Sequence, residues 1–258
     1  MKTIIANWKM NVGTRESVAL ARGVLLALRG KKVLPEIVAC APFVALSEMR
    51  KVVARTHVAL GAQDVFWEDS GAFTGEISAR MLAELGVTHV IIGHSERRAM
   101  GESDDMINKK VIAALAQGLT PILCVGESKA QRDAGETGDV IANQLRGALH
   151  GLHTRHKDKL LVAYEPVWAI GTGDAAQPAG VVQVHAQIRS LVSELLPGIK
   201  PMQYAVLYGG SVDAQNAYGF LREPEINGLL VGGASVNLSE FSKVLAAAMD
   251  AIEGQLSA

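Results

Sequence analysis

At 258 residues, with 49% hydrophobic and 20% charged positions, the chain holds enough apolar material for a large core and is too mixed in charge for a disordered polymer. A formal charge of −1 excludes the strongly basic field that nucleic acid or an anionic membrane surface would select. Cys40 and Cys124 supply neither a disulfide framework nor a paired metal-ligand spacing, so both thiols are expected free and the location cytoplasmic.

The opening Met1–Lys9 has a charge at position 9 and no apolar stretch of signal-peptide length, so it is expected to belong to the fold. No later apolar run approaches the roughly 18 residues needed to span a bilayer. Short apolar runs recur at Thr3–Trp8, Glu36–Ala41, His57–Ala62, His89–Gly93, Thr120–Val125, Leu160–Tyr164, Gln203–Tyr208 and Gly228–Val231. They are rich in Val, Ile and Leu without clean alternation, as parallel strands covered on both faces should be. Helical periodicity follows, for example over Arg15–Leu28, Ser103–Ala116, Val181–Leu195 and Leu238–Ile252, with Thr14, Ser103 and Asn237 as predicted N-caps. Eight strand–helix units without a linker or composition shift predict an α/β single-domain (β/α)8 TIM barrel over residues 1–258.

Active sites of such barrels lie at the C-terminal ends of the strands, so polar residues there are candidates. The first strand ends in Asn7-Trp8-Lys9, although a lysine taken alone is usually a solvated surface group. The fourth ends in Gly93-His94-Ser95-Glu96-Arg97-Arg98, where the following helix start can orient an otherwise ordinary histidine. The sixth ends in Tyr164-Glu165-Pro166. Burial beside apolar neighbours would suit Glu165 to general-base work, with a carboxylate satisfied by a helix N-terminus as the plain alternative.

After Glu165 comes Pro166 and then the apolar stretch Val167, Trp168, Ala169, Ile170, Gly171, Thr172 and Gly173. It is too apolar for a solvated connector and its glycines permit large dihedral changes, so it reads as a lid. Paired glycines end strands seven and eight, in Gly209-Gly210-Ser211 and Gly232-Gly233-Ala234-Ser235. One such pair would be a tight turn. Two at successive strand ends predict backbone N–H groups that hold an anion, with phosphate the expected group.

Together with Cys124-Val125-Gly126-Glu127, these segments resemble the triosephosphate isomerase family in order and spacing. The resemblance implies interconversion of dihydroxyacetone phosphate and glyceraldehyde 3-phosphate through an enediolate, with no cofactor and no metal. It implies that Glu165 shuttles the proton, that neutral His94 donates to the substrate oxygens, that Lys9 stabilises negative charge, that Asn7 orients this group and that Glu96 sits beside Lys9. Gly171, Ser211, Gly232 and Gly233 would hold the phosphate through backbone N–H groups. The nearest competing readings are another phosphosugar isomerase and a noncatalytic phosphate-binding barrel.

Three positions depart from the family pattern. Asp174-Ala175-Ala176 follows the lid where a basic residue is common first, Asn227 replaces an aspartate that would pair with Arg189, and Cys40-Ala41-Pro42 replaces Cys-Pro-Pro. Finally, Gln63-Asp64-Val65 and Gly71–Ser78 resemble an interdigitating loop. By resemblance the chain would form a homodimer or a higher even-numbered oligomer, with Phe73 as anchor, Thr74 reaching the partner's Asn7 and His94, and Glu76 pairing with the partner's Arg97.

Overall fold

The computed structural model describes residues 2–153, 155, 158–170 and 176–257. Eight parallel strands, β1 (Thr3–Asn7), β2 (Glu36–Ala41), β3 (Val58–Ala62), β4 (His89–Ile92), β5 (Thr120–Val125), β6 (Leu160–Tyr164), β7 (Tyr204–Tyr208) and β8 (Gly228–Val231), close in sequence order into a barrel. The described helices are α1 (Thr14–Leu28), α2 (Leu46–Val53), α3 (Ala79–Glu84), α4 (Ser95–Ala99), α5 (Asp104–Ala116), α6 (Lys129–Asp133), α7 (Thr137–Leu149), α8 (Pro178–Leu195), α9 (Ala217–Leu221) and α10 (Leu238–Leu256). Closure joins β1 to β8 with Thr3 opposite Gly228, where a Cβ on Gly228 would stand 1.9 Å from the Thr3 carbonyl oxygen.

The missing alternation in the sequence has a direct cause. Ile5, Val38, Cys40, Ile91, Ile122, Cys124, Leu161, Ala163, Leu207 and Leu230 fill the barrel interior. Their neighbours Ile4, Ala6, Ile37, Ala39, Leu160 and Val162 pack outward against the helices. Both faces are buried, so both must be apolar. The alternation carries a rule for the site: continuing the inward positions of each strand past its end points Asn7, Lys9, Glu165, Gly209 and Gly232 toward the barrel axis.

Several boundaries differ from those predicted. Trp8, His57, Gly93 and Gln203 fall just outside their strands, α8 starts three residues early at Pro178, and α10 continues past Ile252 to Leu256. Pro178 fits there because the first helical position needs no N–H partner. The N-cap of α1 is Gly13, not Thr14. The Glu16 carboxylate accepts from the Gly13 N–H at 2.9 Å, and the Thr14 hydroxyl instead donates to the Val44 carbonyl at 3.2 Å. Ser103 and Asn237 do cap α5 and α10, accepting from Met106 and Glu240 N–H groups.

Candidate active site

Each predicted reacting group is set by backbone at a strand end. The Lys9 N–H donates to the Asn7 amide oxygen at 3.1 Å, and the Gln63 amide donates to the carbonyls of Lys9 (3.0 Å) and Cys40 (2.9 Å). Lys9 is held at φ 49, in the left-handed region that non-glycine residues rarely adopt. Its ammonium contacts Glu96 Oε1 at 2.6 Å. Gln63 thus grips the turn that carries Lys9. In the sequence Gln63 is visible only as part of a loop motif, since a glutamine after a strand gives no chemical signal by itself.

His94 requires a break in the strand pattern. Ile91 faces the interior, so strict alternation would send Gly93 inward and His94 outward. Gly93 instead takes φ 71, and a Cβ there would crowd Ile107 at 2.9 Å. His94 becomes the N-cap of α4, with its Nδ1 accepting from the Glu96 N–H at 3.2 Å. With Nδ1 taken up as the acceptor, Nε2 is the ring nitrogen left to donate. Nε2 lies 3.1 Å from Glu165 Oε1.

The other carboxylate oxygen of Glu165 accepts from the Ser95 N–H at 3.0 Å, and the Glu165 N–H donates to the Val125 carbonyl at 2.8 Å. Two glycines make room for this residue. A Cβ on Gly126 would sit 1.7 Å from the Glu165 carbonyl oxygen, and one on Gly209 would sit 3.0 Å from its Cγ. Glu165 and His94 are both buried, at 2% and 6% exposure. Arg98 braces them from behind, donating to the carbonyls of Gly93 (2.9 Å) and Cys124 (3.3 Å) while pairing with Asp104 at 2.6 Å.

These groups face one another across a cavity of about 180 Å³ at the C-terminal mouth of the barrel. Asn7, Lys9, His94 and Glu165 line it together with Ser211, Gly232 and Gly233, and Gly232 adjoins the Lys9 side chain. Ile170 closes toward it, and Leu230 forms an apolar wall. Gly209 and Gly210, predicted as one of the anion-holding glycine pairs, also line the cavity, as do Val212, Leu230 and Ala234, which carry no chemical signal in the sequence because small apolar residues are commonest as packing. Ser235 fixes the β8 turn, its hydroxyl donating to the Gly232 carbonyl at 2.6 Å. Gly171, Thr172 and Gly173 of the predicted lid, and Asp174 and Ala175 after it, lie outside the described residues.

The described ends of the predicted lid are anchored. Ala176 N–H donates to the Tyr208 hydroxyl at 3.1 Å, and burial pushes that phenol up to about 12. On the other side Val167, Trp168 and Ala169 form one short turn, and the Val167 N–H donates to the Glu127 carbonyl at 3.0 Å. The Glu127 carboxylate is fully buried and accepts from the Tyr164 hydroxyl at 3.1 Å. In the sequence Glu127 is visible only as the last residue of Cys124-Val125-Gly126-Glu127. Its contacts with Val167 and Trp168 need the fold to bring residue 127 beside residue 168.

A second cavity, about 320 Å³, adjoins the first and shares Asn7, Lys9 and His94 with it. Arg97, Gln63, Phe43 and Met100 line its outer side. Phe73, Thr74 and Glu76 lie together on an exposed loop, with the Phe73 ring 4.9 Å from Phe66. Arg97 pairs within the chain with Asp64 at 3.0 Å. The departure at Asn227 keeps a contact: the Arg189 guanidinium donates to the Asn227 side-chain oxygen at 2.7 Å. Both cysteines are free and buried, and burial raises both thiols, which holds them protonated. Among the described residues no group of three or more His, Cys, Asp and Glu side chains could hold a metal ion, and no helix is long and apolar enough to cross a membrane.

The triosephosphate isomerase family model matches residues 2–248. The chain is 46% identical over 243 residues to the triosephosphate isomerase of Caldanaerobacter subterraneus subsp. tengcongensis, covering 94% of this chain and 97% of the relative. It is 48% identical over 245 residues to that of Aquifex aeolicus, covering 95% and 98%. Among solved structures it is similar to the triosephosphate isomerase of Bartonella henselae, with a TM-score of 0.84 and 37% identity over 95% of this chain and 98% of that one.

Proposed function

The chain belongs to the triosephosphate isomerase family and interconverts dihydroxyacetone phosphate and glyceraldehyde 3-phosphate, a step of glycolysis, and from that premise we propose how its residues divide the work. Glu165 is the base that takes the proton from one carbon of the substrate and returns it to the neighbouring carbon. His94 donates from Nε2 to the substrate oxygens, and Lys9 supplies fixed positive charge to the enediolate. Asn7 holds the Lys9 turn, and Glu96 orients the ammonium. The observation that carries this reading is the meeting of His94 Nε2 and the Ser95 N–H on the two oxygens of one buried carboxylate, beside Lys9 and facing a glycine-lined cavity.

The chemistry requires such preorganisation. A carbon acid next to a carbonyl is weak, and the negative charge that develops on oxygen is best met by donors already in position. The phosphate sits at the backbone N–H groups of Ser211, Gly232 and Gly233, with Gly171 completing the grip as the Val167–Gly173 lid closes. Binding a remote, unreactive phosphate favours closure, which expels water from the enediolate. Ile170 and Leu230 then present apolar surface to the carboxylate. A coupled assay with each triose phosphate tests the assignment: Glu165→Gln should lose at least about a thousandfold in turnover while a substrate-analogue phosphate still binds. Near-normal turnover would overturn it.

The active unit is a homodimer or a higher even-numbered oligomer of single-domain barrels, working in the cytoplasm. Support comes from the apolar groups left exposed on the lining of the second cavity, Met10 at 96%, Met100 at 71% and Phe43 at 38%, and from Phe73, exposed at 43% on its loop. A partner's loop entering that cavity would cover them and touch the strand-end residues of the first cavity.

A further inference from the structure

We propose that the N-terminal face of the barrel carries a binding groove for a single-chain anionic amphiphile, a medium-chain fatty-acid anion free in solution. The groove lies between the end of α1 and the turn that leads from α2 into β3. Its volume of about 590 Å³ falls within the range of about 300–1,000 Å³ usual for small-molecule sites. Helices run antiparallel to the strands they cover, so the groove sits at the opposite end of the barrel from Glu165.

The floor and the rim ask for different halves of one ligand. Leu25, Leu26, Leu28 and Leu34 form the floor, and Leu26 is 68% exposed although a leucine gains by leaving water. Arg22, Arg29 and Lys31 supply the rim, and no carboxylate lines the groove. None of these three cations enters an ion pair among the described residues. Inorganic phosphate would satisfy the rim and leave the leucines wet. A neutral hydrocarbon would do the reverse. A second copy related by a two-fold axis would set cations against cations. An acyl chain ending in a carboxylate satisfies both parts, with its tail along the leucines and its head between Arg29 and Lys31.

The groove is also built on a strained turn. Arg55, at φ 61, is one of two described non-glycine residues in the left-handed region, the other being Lys9 of the active site. It directly precedes Thr56 and His57, which form the far lip. The Thr56 hydroxyl donates to the Val53 carbonyl at 2.8 Å and accepts from the Val58 N–H at 3.2 Å, fixing that lip in place.

The full chain can be titrated with sodium octanoate and sodium decanoate below micelle formation while backbone amide resonances are followed. Saturable binding with shifts centred on Leu26, Gly30 and His57 is expected. Each added methylene should tighten binding about two- to fourfold. Leu26→Glu, and separately the Arg29→Glu/Lys31→Glu pair, should each weaken decanoate binding at least about tenfold, with triose phosphate turnover unchanged. All these positions are exposed, so the fold tolerates the changes. The proposal fails if decyltrimethylammonium binds as tightly as decanoate, if the shifts centre elsewhere, or if no saturation is reached by about 1 mM.

Discussion

The indole N–H of Trp168 donates to Glu127 Oε1 at 2.9 Å, so the first turn of the lid is tied to a fully buried carboxylate at the end of the neighbouring strand. The Arg132 guanidinium lies over the same ring, 4.3 Å from its centroid, and 3.5 Å from the same carboxylate oxygen. A hydrogen bond to a buried charge contributes more than a neutral one, about 1.5–3 kcal/mol. A double-mutant cycle of Trp168→Phe and Glu127→Gln, read by urea unfolding, should therefore give a coupling of about 1 kcal/mol or more. Additive single effects would show that the two side chains are merely neighbours.

Proton transfer by one carboxylate predicts a label pattern. Deuterium placed at the abstracted position should be partly lost to solvent and partly found on the neighbouring carbon of the product, because Glu165 can trade its proton before returning it. Mass spectrometry of product formed in light water measures the split. Complete intramolecular retention would favour hydride migration over a base at residue 165.

Thr74→Arg should break the proposed oligomer. Thr74 is exposed in the chain alone, and in a dimer it would be covered, so the substitution would bury an unpaired charge at a cost of about 3–5 kcal/mol. Sedimentation should report monomers, and activity should fall much further than the helical circular dichroism signal. A wild-type chain that is monomeric and fully active at micromolar concentration contradicts the dimer itself.

At position 227 the amide already accepts from Arg189 at 2.7 Å and from the Val206 N–H at 2.9 Å. Asn227→Asp keeps both acceptor contacts and makes them charge-assisted, so thermal unfolding should show a gain of about 1 kcal/mol. A loss would mean that desolvating the new charge outweighs its pairing.

Two buried histidines predict the acid limb of stability. Burial lowers His185 from 6.5 to about 4, and burial lowers His89 to about 4 against the opposing pull of Glu36. In both cases the folded state refuses a proton that the unfolded state accepts below pH 6.5. The stabilising contribution is full above that value and is lost as pH falls from 6.5 through about 4. Each group accounts for on the order of 2–3 kcal/mol across that window. His185→Gln should flatten the dependence of unfolding free energy on pH there. An unchanged slope would remove His185 from the account.

The barrel was legible because its strands are buried on both faces, which writes itself into the chain as repeated unbroken apolar runs. Asn7, Lys9, His94, Glu165 and the two glycine pairs stood out because each interrupts such a run at its end. Residues that act by holding others did not. Gln63, Arg98 and Glu127 reach groups at residues 9, 124 and 168 respectively, and only strand order brings those pairs together. Thr14 misled for a local reason: the helix starts one residue earlier, with Gly13 as cap and its N–H held by Glu16, and the Thr14 hydroxyl is taken up by the Val44 carbonyl.

The left-handed backbone at Lys9 sets folding and turnover against each other. Only glycine adopts φ 49 without steric penalty, so Lys9→Gly would relax the turn by about 1 kcal/mol while deleting the ammonium. A library sorted for thermal resistance should enrich glycine at this position, and the same library sorted for growth on a flux through triose phosphates should eliminate it. Residue 9 is thus a place where natural selection preserves a conformation that selection for robustness alone would discard.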